Sequence, residues 1–153
     1  MNLKYFFWAV FFAMQLFNTT VSADEFKLTD LNGRQHALAD YKGKWVLVNF
    51  WATWCPPCLE EIPDLLSLEE KHTDLIVIGV AMDYKSKKEV LDFAADNLMD
   101  YPLALGDDKT MLQFGNSEVL PTTNLYNPQG KLVKRFRGSI SRAAVEKLLS
   151  GKP

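Results

Sequence analysis

The 153-residue sequence predicts a single α/β domain, a three-layer α/β/α sandwich around a mixed central sheet. Two continuous apolar runs, KWVLVNFW at 44–51 and DLIVIGVAM at 74–82, are rich in residues that favour strands. Such runs are typical of strands that helices cover on both faces. A later segment, KLVKRFR at 131–137, alternates in polarity as an antiparallel partner does. The sheet is therefore expected to begin parallel and to finish antiparallel.

The first 23 residues predict a secretory signal peptide. Lys4 supplies a positive start, residues 5–17 are mostly apolar, and Val21-Ser22-Ala23 fits a cleavage site. The apolar run is too short to cross about 30 Å of hydrocarbon. We therefore expect cleavage after Ala23 rather than a retained membrane anchor, which leaves a mature domain of residues 24–153.

The charge balance of the chain argues against some partners. The full sequence carries 17 basic and 19 acidic residues, and the leader holds one lysine and no acid. The mature domain then has 16 basic and 19 acidic residues, a net charge of −3, with no basic block. Nucleic acid and anionic membrane surfaces are therefore poor candidates. Export implies an oxidising compartment, where disulfides persist.

The first half of the domain is expected to contain a hairpin, a strand, a helix and a strand. The Asn32-Gly33 turn within FKLTDLNGRQHAL predicts the hairpin. Pro56 and Pro57 favour a helix that begins at residues 55–58 and continues to about Lys71. One face of this helix carries apolar residues at helical spacing, which are Leu59, Ile62, Leu65, Leu66 and Leu68.

The second half is expected to add two helices, two strands and a last helix. Helices are predicted from Lys87 to about Leu98 and from Lys109 to Phe114, and a strand from Leu120 to Tyr126. A turn at 127–130 joins that strand to the alternating segment. The first of these helices is expected to turn three side chains inward, which are Val90, Leu91 and Ala94. Ser141 is placed to cap the last helix.

The only two cysteines of the chain, Cys55 and Cys58, form a C-x-x-C pair between the first buried strand and its helix. This spacing puts Cys55 at the helix N-cap, where unpaired N–H groups and the helix dipole favour thiolate over thiol. The pKa of Cys55 is therefore expected below about 8.5, the value of a free cysteine. Cys58 should lie closer to the core. Cys55 is thus the expected nucleophile, and Cys58 the residue that resolves the mixed disulfide.

The two prolines between the cysteines favour one direction of electron transfer. Pro56 and Pro57 have no N–H to offer, so the Cys55 sulfur relies mainly on the N–H groups of Cys58 and its neighbour. A less stabilised thiolate makes the reduced form less stable and the pair less oxidising. This favours a reductase, although the prolines also stiffen the loop and that effect has no fixed direction.

The sequence gives less support to two other uses of a cysteine pair, a zinc site and a structural disulfide. A zinc site needs three or four ligands. Here no second cysteine pair is present, and His36 and His72 lie in separate elements, where both are expected at the surface. A purely structural disulfide that closes so short a loop adds little stability, because the entropic gain grows with loop size. Redox exchange without a metal is therefore favoured.

The stretch VLVNFWATWCPPCLEEIP at 46–63 resembles the TlpA/ResA/CcmG branch of the thioredoxin superfamily, whose members are exported thiol–disulfide oxidoreductases. The resemblance extends over nearly all of residues 24–151. It includes the hairpin, a central insertion from Asp83 to Gly115, the LPTT sequence at 120–123, and Gly138 before the last helix. It implies a thioredoxin-like fold with this insertion and an activity that needs no cofactor.

The resemblance also implies roles around the redox pair. Trp54 matches the tryptophan that precedes the pair, and Pro121 matches a cis-proline that lies beside the disulfide. The backbone of Leu120 would then face a client, whose strand would pair there by β-augmentation. Trp54, Pro56 and Leu120 are expected to form an apolar docking surface for clients.

Proton transfer needs a separate candidate. Many cytosolic thioredoxins resemble this stretch but carry a buried aspartate where this chain has Asn49, and an amide does not titrate. Glu61 matches the glutamate of the branch's C-x-x-C-x-x-E-x-P pattern and lies one turn beyond Cys58. A carboxylate near the core is suited to act as acid or base. The alternative, a solvated glutamate on the helix face, fits Glu60 better.

These features together predict a periplasmic protein-disulfide reductase, expected to be a monomer. Similar proteins receive electrons from a membrane dithiol donor, and clients in this branch include the haem-binding cysteines of apocytochrome c. Three alternatives stay open: an oxidant that donates disulfides, a non-catalytic client-binding or chaperone module, and a peroxidase of related fold. The P-x-x-x-T-x-x-C loop typical of such peroxidases is absent from the sequence.

Overall fold

The computed structural model describes residues 25–115 and 119–151. The predicted signal peptide, residues 1–23, lies outside these described residues. Within the described ranges, no helix is both long enough and apolar enough to cross a bilayer. The predicted α/β sandwich is confirmed, and every predicted strand and helix of the domain is present.

The strands form a hairpin and a larger mixed sheet. Strands β1 (Lys27–Thr29) and β2 (Gln35–Ala37) pair antiparallel across the predicted turn. The larger sheet has the order β5-β4-β3-β6-β7. The ranges of these strands are Trp45–Trp51 (β3), Leu75–Ala81 (β4), Leu103–Leu105 (β5), Thr122–Tyr126 (β6) and Leu132–Arg137 (β7). As predicted, β3 and β4 are parallel and β6 and β7 pair antiparallel, and β5 adds a third parallel strand beside β4.

Polar caps fix the starts of three helices. The helices are α1 (Pro56–Lys71), α2 (Lys87–Asp96), α3 (Asp108–Leu112) and α4 (Arg142–Leu149), and a 3-10 turn covers Leu38–Tyr41. The side chains of Ser86, Asp107 and Ser141 each accept a hydrogen bond from the backbone N–H three residues further on. The cap at Ser141 was predicted, and these bonds satisfy N–H groups that a helix start leaves unpaired.

The apolar residues divide between the two faces of the larger sheet. One cluster packs the sheet against α1 and α4 and contains Trp51 and both cysteines. The second cluster lies under the hairpin and contains Phe50. Phe50 and Trp51 are buried, and Trp45 is partly buried. The redox pair is therefore built into one hydrophobic core rather than attached to the surface.

Two predictions about the second half were wrong or incomplete. Leu91 was expected to face inward, yet its side chain is 43% exposed, whereas Val90 and Ala94 are buried. Val90 and Ala94 lie four residues apart and share one helix face, and Leu91 falls at its edge. Strand β5 was not predicted, because three residues are too few to show an alternating pattern.

His36 was expected at the surface, and that prediction was wrong. Its side chain is only 1% exposed, and its Nε2 lies 3.0 Å from Oδ2 of Asp30. Its Nδ1 makes a second hydrogen bond with the hydroxyl of Tyr41. Both partners come from the hairpin and the 3-10 turn that follows it. A buried histidine needs partners on both ring nitrogens, and here the hairpin region supplies them.

Candidate functional site

The redox pair lies where β3 gives way to α1. Cys55 has extended backbone angles and is the N-cap of α1, and Pro56 and Pro57 occupy the first two helical positions. Cys55 and Cys58 form a disulfide with a Cα–Cα distance of 5.3 Å. Cys58 is 1% exposed and Cys55 is 3% exposed. The predicted N-cap position of Cys55 is confirmed, and both cysteines are buried.

The first free N–H groups of α1 do not bind sulfur in this disulfide form. The N–H of Cys58 donates to the carbonyl oxygen of Cys55 at 3.0 Å, and the N–H of Leu59 donates to the same oxygen at 3.3 Å. Cys55 makes no side-chain capping hydrogen bond with the described part of the chain. The expectation that these N–H groups serve the Cys55 sulfur concerns the thiolate of the reduced protein, and for that state it stays a prediction. Competition from the Cys55 carbonyl reduces the stabilisation that the helix start offers to a thiolate.

Glu61 is buried, and Glu60 is exposed, as the sequence favoured. One Glu61 oxygen, Oε1, accepts a 2.6 Å hydrogen bond from the side chain of Asn49, and Oε2 accepts a 2.9 Å bond from the N–H of Ile140. Burial raises the pKa of Glu61 to about 7, and these two hydrogen bonds oppose that rise. A nearby carboxylate, Asp64, adds a smaller upward effect. Glu61 is thus a carboxylic group that exists in both protonation states near neutral pH.

Asn49 holds Glu61 from the centre of the sheet. It lies on β3 opposite Thr123 of β6. Its side-chain amide donates to Oγ1 of Thr123 at 2.9 Å as well as to Glu61. Both donors of the amide are therefore used, and they orient the Glu61 carboxyl group within the core that also contains the cysteines.

A groove of about 680 Å³ lies beside Cys55. Trp54 and Leu120 line it, whereas Pro56 is exposed but is not one of its lining residues. The indole of Trp54 is 59% exposed, and its Nε1 donates to the carbonyl oxygen of Asp83 at 3.2 Å. The groove is lined on its other sides by residues from two loops, including Met82, Tyr84 and Asp107, and by Met111 of α3.

The sequence did not identify these loop residues. They follow the carboxyl ends of β4 and β5, whereas Cys55 follows the carboxyl end of β3. These three strands are parallel and adjacent. Loops at the carboxyl ends of parallel strands meet at one edge of a sheet, which is a frequent place for binding sites. This rule was the available signal, but it required the strand order.

Pro121 is buried at the start of β6, and the Leu120-Pro121 peptide bond is cis. Leu120 is half-buried and faces the groove together with Cys55.

Among the described residues, no group of three or more His, Cys, Asp or Glu side chains is arranged to hold a metal ion. The site brings together the Cys55–Cys58 disulfide, the buried carboxyl group of Glu61 and an open groove lined by Cys55.

Comparisons with known proteins agree with this geometry. The model of the AhpC/TSA family matches residues 20–135. The thiol-disulfide oxidoreductase ResA of Bacillus subtilis (strain 168) is 34% identical over 142 residues, which cover 90% of this chain and 77% of that protein.

Solved structures show the same fold. A DsbF homologue from Corynebacterium diphtheriae is 30% identical, with a TM-score of 0.76 and 84% of each chain covered. The exposed lipoprotein thioredoxin of Streptococcus pneumoniae (strain TIGR4) is 28% identical, with a TM-score of 0.69, and the match covers 83% of this chain and 98% of that one. The chain therefore belongs to the AhpC/TSA family and is, within it, a thiol–disulfide oxidoreductase with a thioredoxin-like fold.

Proposed function

We propose that this oxidoreductase reduces disulfides in exported client proteins. The proposed direction of electron transfer, from enzyme to client, rests on the hydrogen bonds at the start of α1. There the Cys55 carbonyl oxygen competes with the Cys55 sulfur for backbone N–H donors. Pro56 and Pro57 offer no N–H, and the N–H groups of Cys58 and Leu59 donate to the Cys55 carbonyl oxygen. A thiolate at Cys55 would therefore have fewer donors than at a helix start without prolines, although the helix dipole still favours it. A less stable reduced form gives up its electrons more readily, which favours a reductase.

The proposed reaction has two exchange steps. In the first, the Cys55 thiolate attacks one sulfur of the client disulfide, and the other client sulfur leaves as a thiolate. In the second, the Cys58 thiol gives its proton to the Glu61 carboxylate and attacks the Cys55 sulfur. The Cys55–Cys58 disulfide forms, and the client's second sulfur leaves as a thiolate. The client gains two electrons and the enzyme loses two.

Glu61 suits the proton-transfer role because its pKa of about 7 leaves a carboxylate available at neutral pH. The neighbouring amide of Asn49 does not titrate, so the cytosolic arrangement with a buried aspartate is not available to this chain. The hydrogen bonds from Asn49 and Ile140 keep the carboxyl group in place while its protonation state changes.

Clients are proposed to bind along the groove beside Cys55. Trp54 and Leu120 supply apolar contacts there, and the adjacent Pro56 adds an exposed apolar surface. The backbone next to Pro121 is proposed to pair with an extended client segment, so that the client sulfur meets Cys55. The exposed indole of Trp54 supports this assignment, because large exposed aromatic groups are frequent in docking surfaces.

Location and partners follow from the same proposal. The apolar leader at residues 1–23 supports export to the periplasm, as does the likeness to an exposed lipoprotein thioredoxin. A membrane dithiol donor would return the enzyme to its reduced form, because an oxidising compartment offers no soluble supply of dithiols. The haem-binding cysteines of apocytochrome c are the proposed client class, by resemblance to the TlpA/ResA/CcmG branch, and the enzyme is proposed to act as a monomer.

The reduction potential of the Cys55–Cys58 pair tests the direction. It is measured by equilibrating the protein with defined ratios of reduced and oxidised dithiothreitol. A value near that of thioredoxin, about −270 mV, is expected for a reductase. A value near that of a strong oxidant such as DsbA, about −120 mV, would refute the proposal and favour the disulfide-donating alternative.

A further inference from the structure

Two neighbouring residues of the loop before Cys55 are tied to the same distant segment. Oγ1 of Thr53 donates a 2.6 Å hydrogen bond to Oε1 of Glu89. Nε1 of Trp54 donates to the carbonyl oxygen of Asp83 at 3.2 Å. Both partners lie in residues 82–89, which follow β4. This segment is therefore fastened directly to the residues that precede the nucleophilic cysteine.

Glu89 makes hydrogen bonds with Thr53, Lys85 and Ser86. Oε1 accepts from Thr53, and Oε2 accepts from the N–H of Lys85 at 2.8 Å. The N–H of Glu89 donates to Oγ of Ser86, the N-cap of α2, at 3.1 Å. The spacing of Ser86 and Glu89 is that of a capping box, in which the glutamate would serve only its own helix. Here Oε1 of Glu89 instead accepts a hydrogen bond from Thr53, in the loop before Cys55.

The negative charge of the Glu89 carboxylate maintains its hydrogen bonds to Thr53 and Lys85 at neutral pH. The hydrogen bond from Thr53, followed by the one from the Lys85 N–H, lowers the pKa of Glu89 below its ordinary value. Lys85 itself adds a favourable charge interaction. The ionised carboxylate is the form that accepts both bonds, and bonds to an ionised acceptor are stronger than neutral ones.

The fastened segment is one wall of the groove. Trp54, Met82, Asp83 and Tyr84 all line the groove on the side of α2. Asp83 has a φ of 48°, in the left-handed region that a non-glycine residue seldom adopts. Its carbonyl oxygen holds the Trp54 indole, so the wall depends on an unfavourable backbone conformation that other contacts must maintain.

We propose that Glu89 is a positioning residue for client recognition. By holding Thr53 and Lys85 together, its carboxylate fixes the wall formed by Trp54 and residues 82–84. The wall then sets how tightly the peptide segment next to a client cysteine binds. Glu89 does not contact the reacting sulfurs. This inference rests on the proposed function, because it concerns the binding of polypeptide clients by the same groove.

Comparing two substrates distinguishes an effect on client binding from an effect on thiol–disulfide exchange. A peptide disulfide, with side chains on both sides of its cysteines, fills the groove, whereas hydroxyethyl disulfide has no peptide to bind. In Glu89→Gln, the neutral amide has one acceptor oxygen in place of two, and Thr53→Val removes the hydroxyl donor. We expect both variants to raise KM for the peptide about three- to tenfold, the effect of one lost hydrogen bond. The rate with hydroxyethyl disulfide should stay within about twofold of the wild type.

Matched controls show whether the contact itself is responsible. Thr53→Ser keeps the hydroxyl and should behave as the wild type. Glu70→Gln makes the same chemical change at an exposed position of α1 and should have no effect. NMR supplies a readout that does not depend on activity: the Trp54 indole N–H should exchange with solvent faster in Glu89→Gln and Thr53→Val than in the wild type.

Each other outcome overturns a stated part of the proposal. An equal loss of rate with both substrates would mean that Glu89 acts on Cys55 or on folding rather than on recognition. An unchanged peptide KM in Glu89→Gln, with an active wild type, would refute the role of Glu89 alone. If the wild type reduced hydroxyethyl disulfide but no peptide disulfide, the proposed function would fail, and the recognition role of Glu89 with it.

Discussion

The amide of Asn49 donates a 2.6 Å hydrogen bond to the carboxyl group of Glu61, inside the core that surrounds the redox pair. The bond connects the centre of β3 with the second turn of α1. It places a non-titrating side chain against a titrating one. Burial raises the pKa of Glu61 to about 7, and the hydrogen bonds from the Ile140 N–H and from Asn49 oppose that rise.

Glu61→Gln should change how stability depends on pH. The pKa of Glu61 is about 7 in the folded protein, against an ordinary value of 4.5. The folded state therefore binds this proton more tightly, and the stability of the wild type falls as pH rises from about 4.5 to about 7. The shift corresponds to about 3 kcal/mol at most. Glutamine does not ionise, so urea unfolding at pH 5 and pH 8 should show that the variant lacks this loss.

The control for that measurement is Glu60→Gln, which alters the neighbouring exposed glutamate. It should keep the wild-type pH dependence. If Glu61→Gln and the wild type lost the same stability between pH 5 and pH 8, Glu61 would have an ordinary pKa, and its proposed part in proton transfer would be wrong.

Asn49→Ala should raise the pKa of Glu61 further. The hydrogen bond from Asn49 favours the ionised carboxyl group, and its loss leaves burial less opposed. The carboxyl signal of Glu61, followed by carbon-detected NMR, should titrate above pH 7. The variant should also be less stable by about 1–3 kcal/mol, because a buried hydrogen-bonding group is left without its partner. A titration midpoint at or below that of the wild type would contradict the role given to Asn49.

Gly79→Ala should destabilise the protein through the core beside the redox pair. A Cβ atom at this position would lie 2.6 Å from Cδ2 of Leu103, 3.0 Å from Cε2 of Tyr101 and 3.1 Å from Nε1 of Trp51. All three side chains are buried, so overpacking should cost about 1–3 kcal/mol in urea unfolding.

A double-variant cycle checks the cause. Leu103→Val removes the δ-carbons, so the cost of Gly79→Ala should be smaller in that background than in the wild type. Equal costs in the two backgrounds would mean that the Leu103 contact is not the source of the strain.

Cys58→Ala should trap clients on the enzyme. The variant keeps the nucleophile Cys55 but lacks the thiol that resolves the mixed disulfide. In cells, disulfide-linked adducts should accumulate and disappear on reduction, and mass spectrometry should place the bond on Cys55. Cys55→Ala should form far fewer adducts, because Cys55 lines the groove and Cys58 is not among its lining residues. Client binding that persists without a covalent bond in Cys55→Ser would favour the chaperone alternative.

The parts of the site that the sequence could predict are local. The apolar run of β3 and the prolines at the first two positions of α1 determine where the helix begins, and so put Cys55 at the N-cap. The one-turn spacing from Cys58, together with the match to the C-x-x-C-x-x-E-x-P pattern of the similar branch, made Glu61 a candidate. Such features depend on neighbouring residues and on regular helix geometry, so they can be predicted from a short sequence motif.

The parts that could not be predicted depend on contacts between distant residues. The Ile140 N–H that binds Glu61 is 79 residues away, and the Thr53–Glu89 contact spans 36 residues. The burial of His36 similarly required partners from the folded hairpin. The groove required the order of the strands, since its walls follow three different strands. A single sequence lists these residues but not their pairing.

The alkylation rate of the reduced protein tests the central claim most directly. Iodoacetamide reacts with thiolates, so its rate with each cysteine, followed by mass spectrometry from about pH 5 to pH 9, gives the fraction ionised. We expect Cys55 to react faster than a small free thiol at pH 7, with a midpoint below about pH 8.5, and Cys58 to react much more slowly. A Cys55 that reacts no faster than the free thiol, or a Cys58 that reacts first, would contradict it.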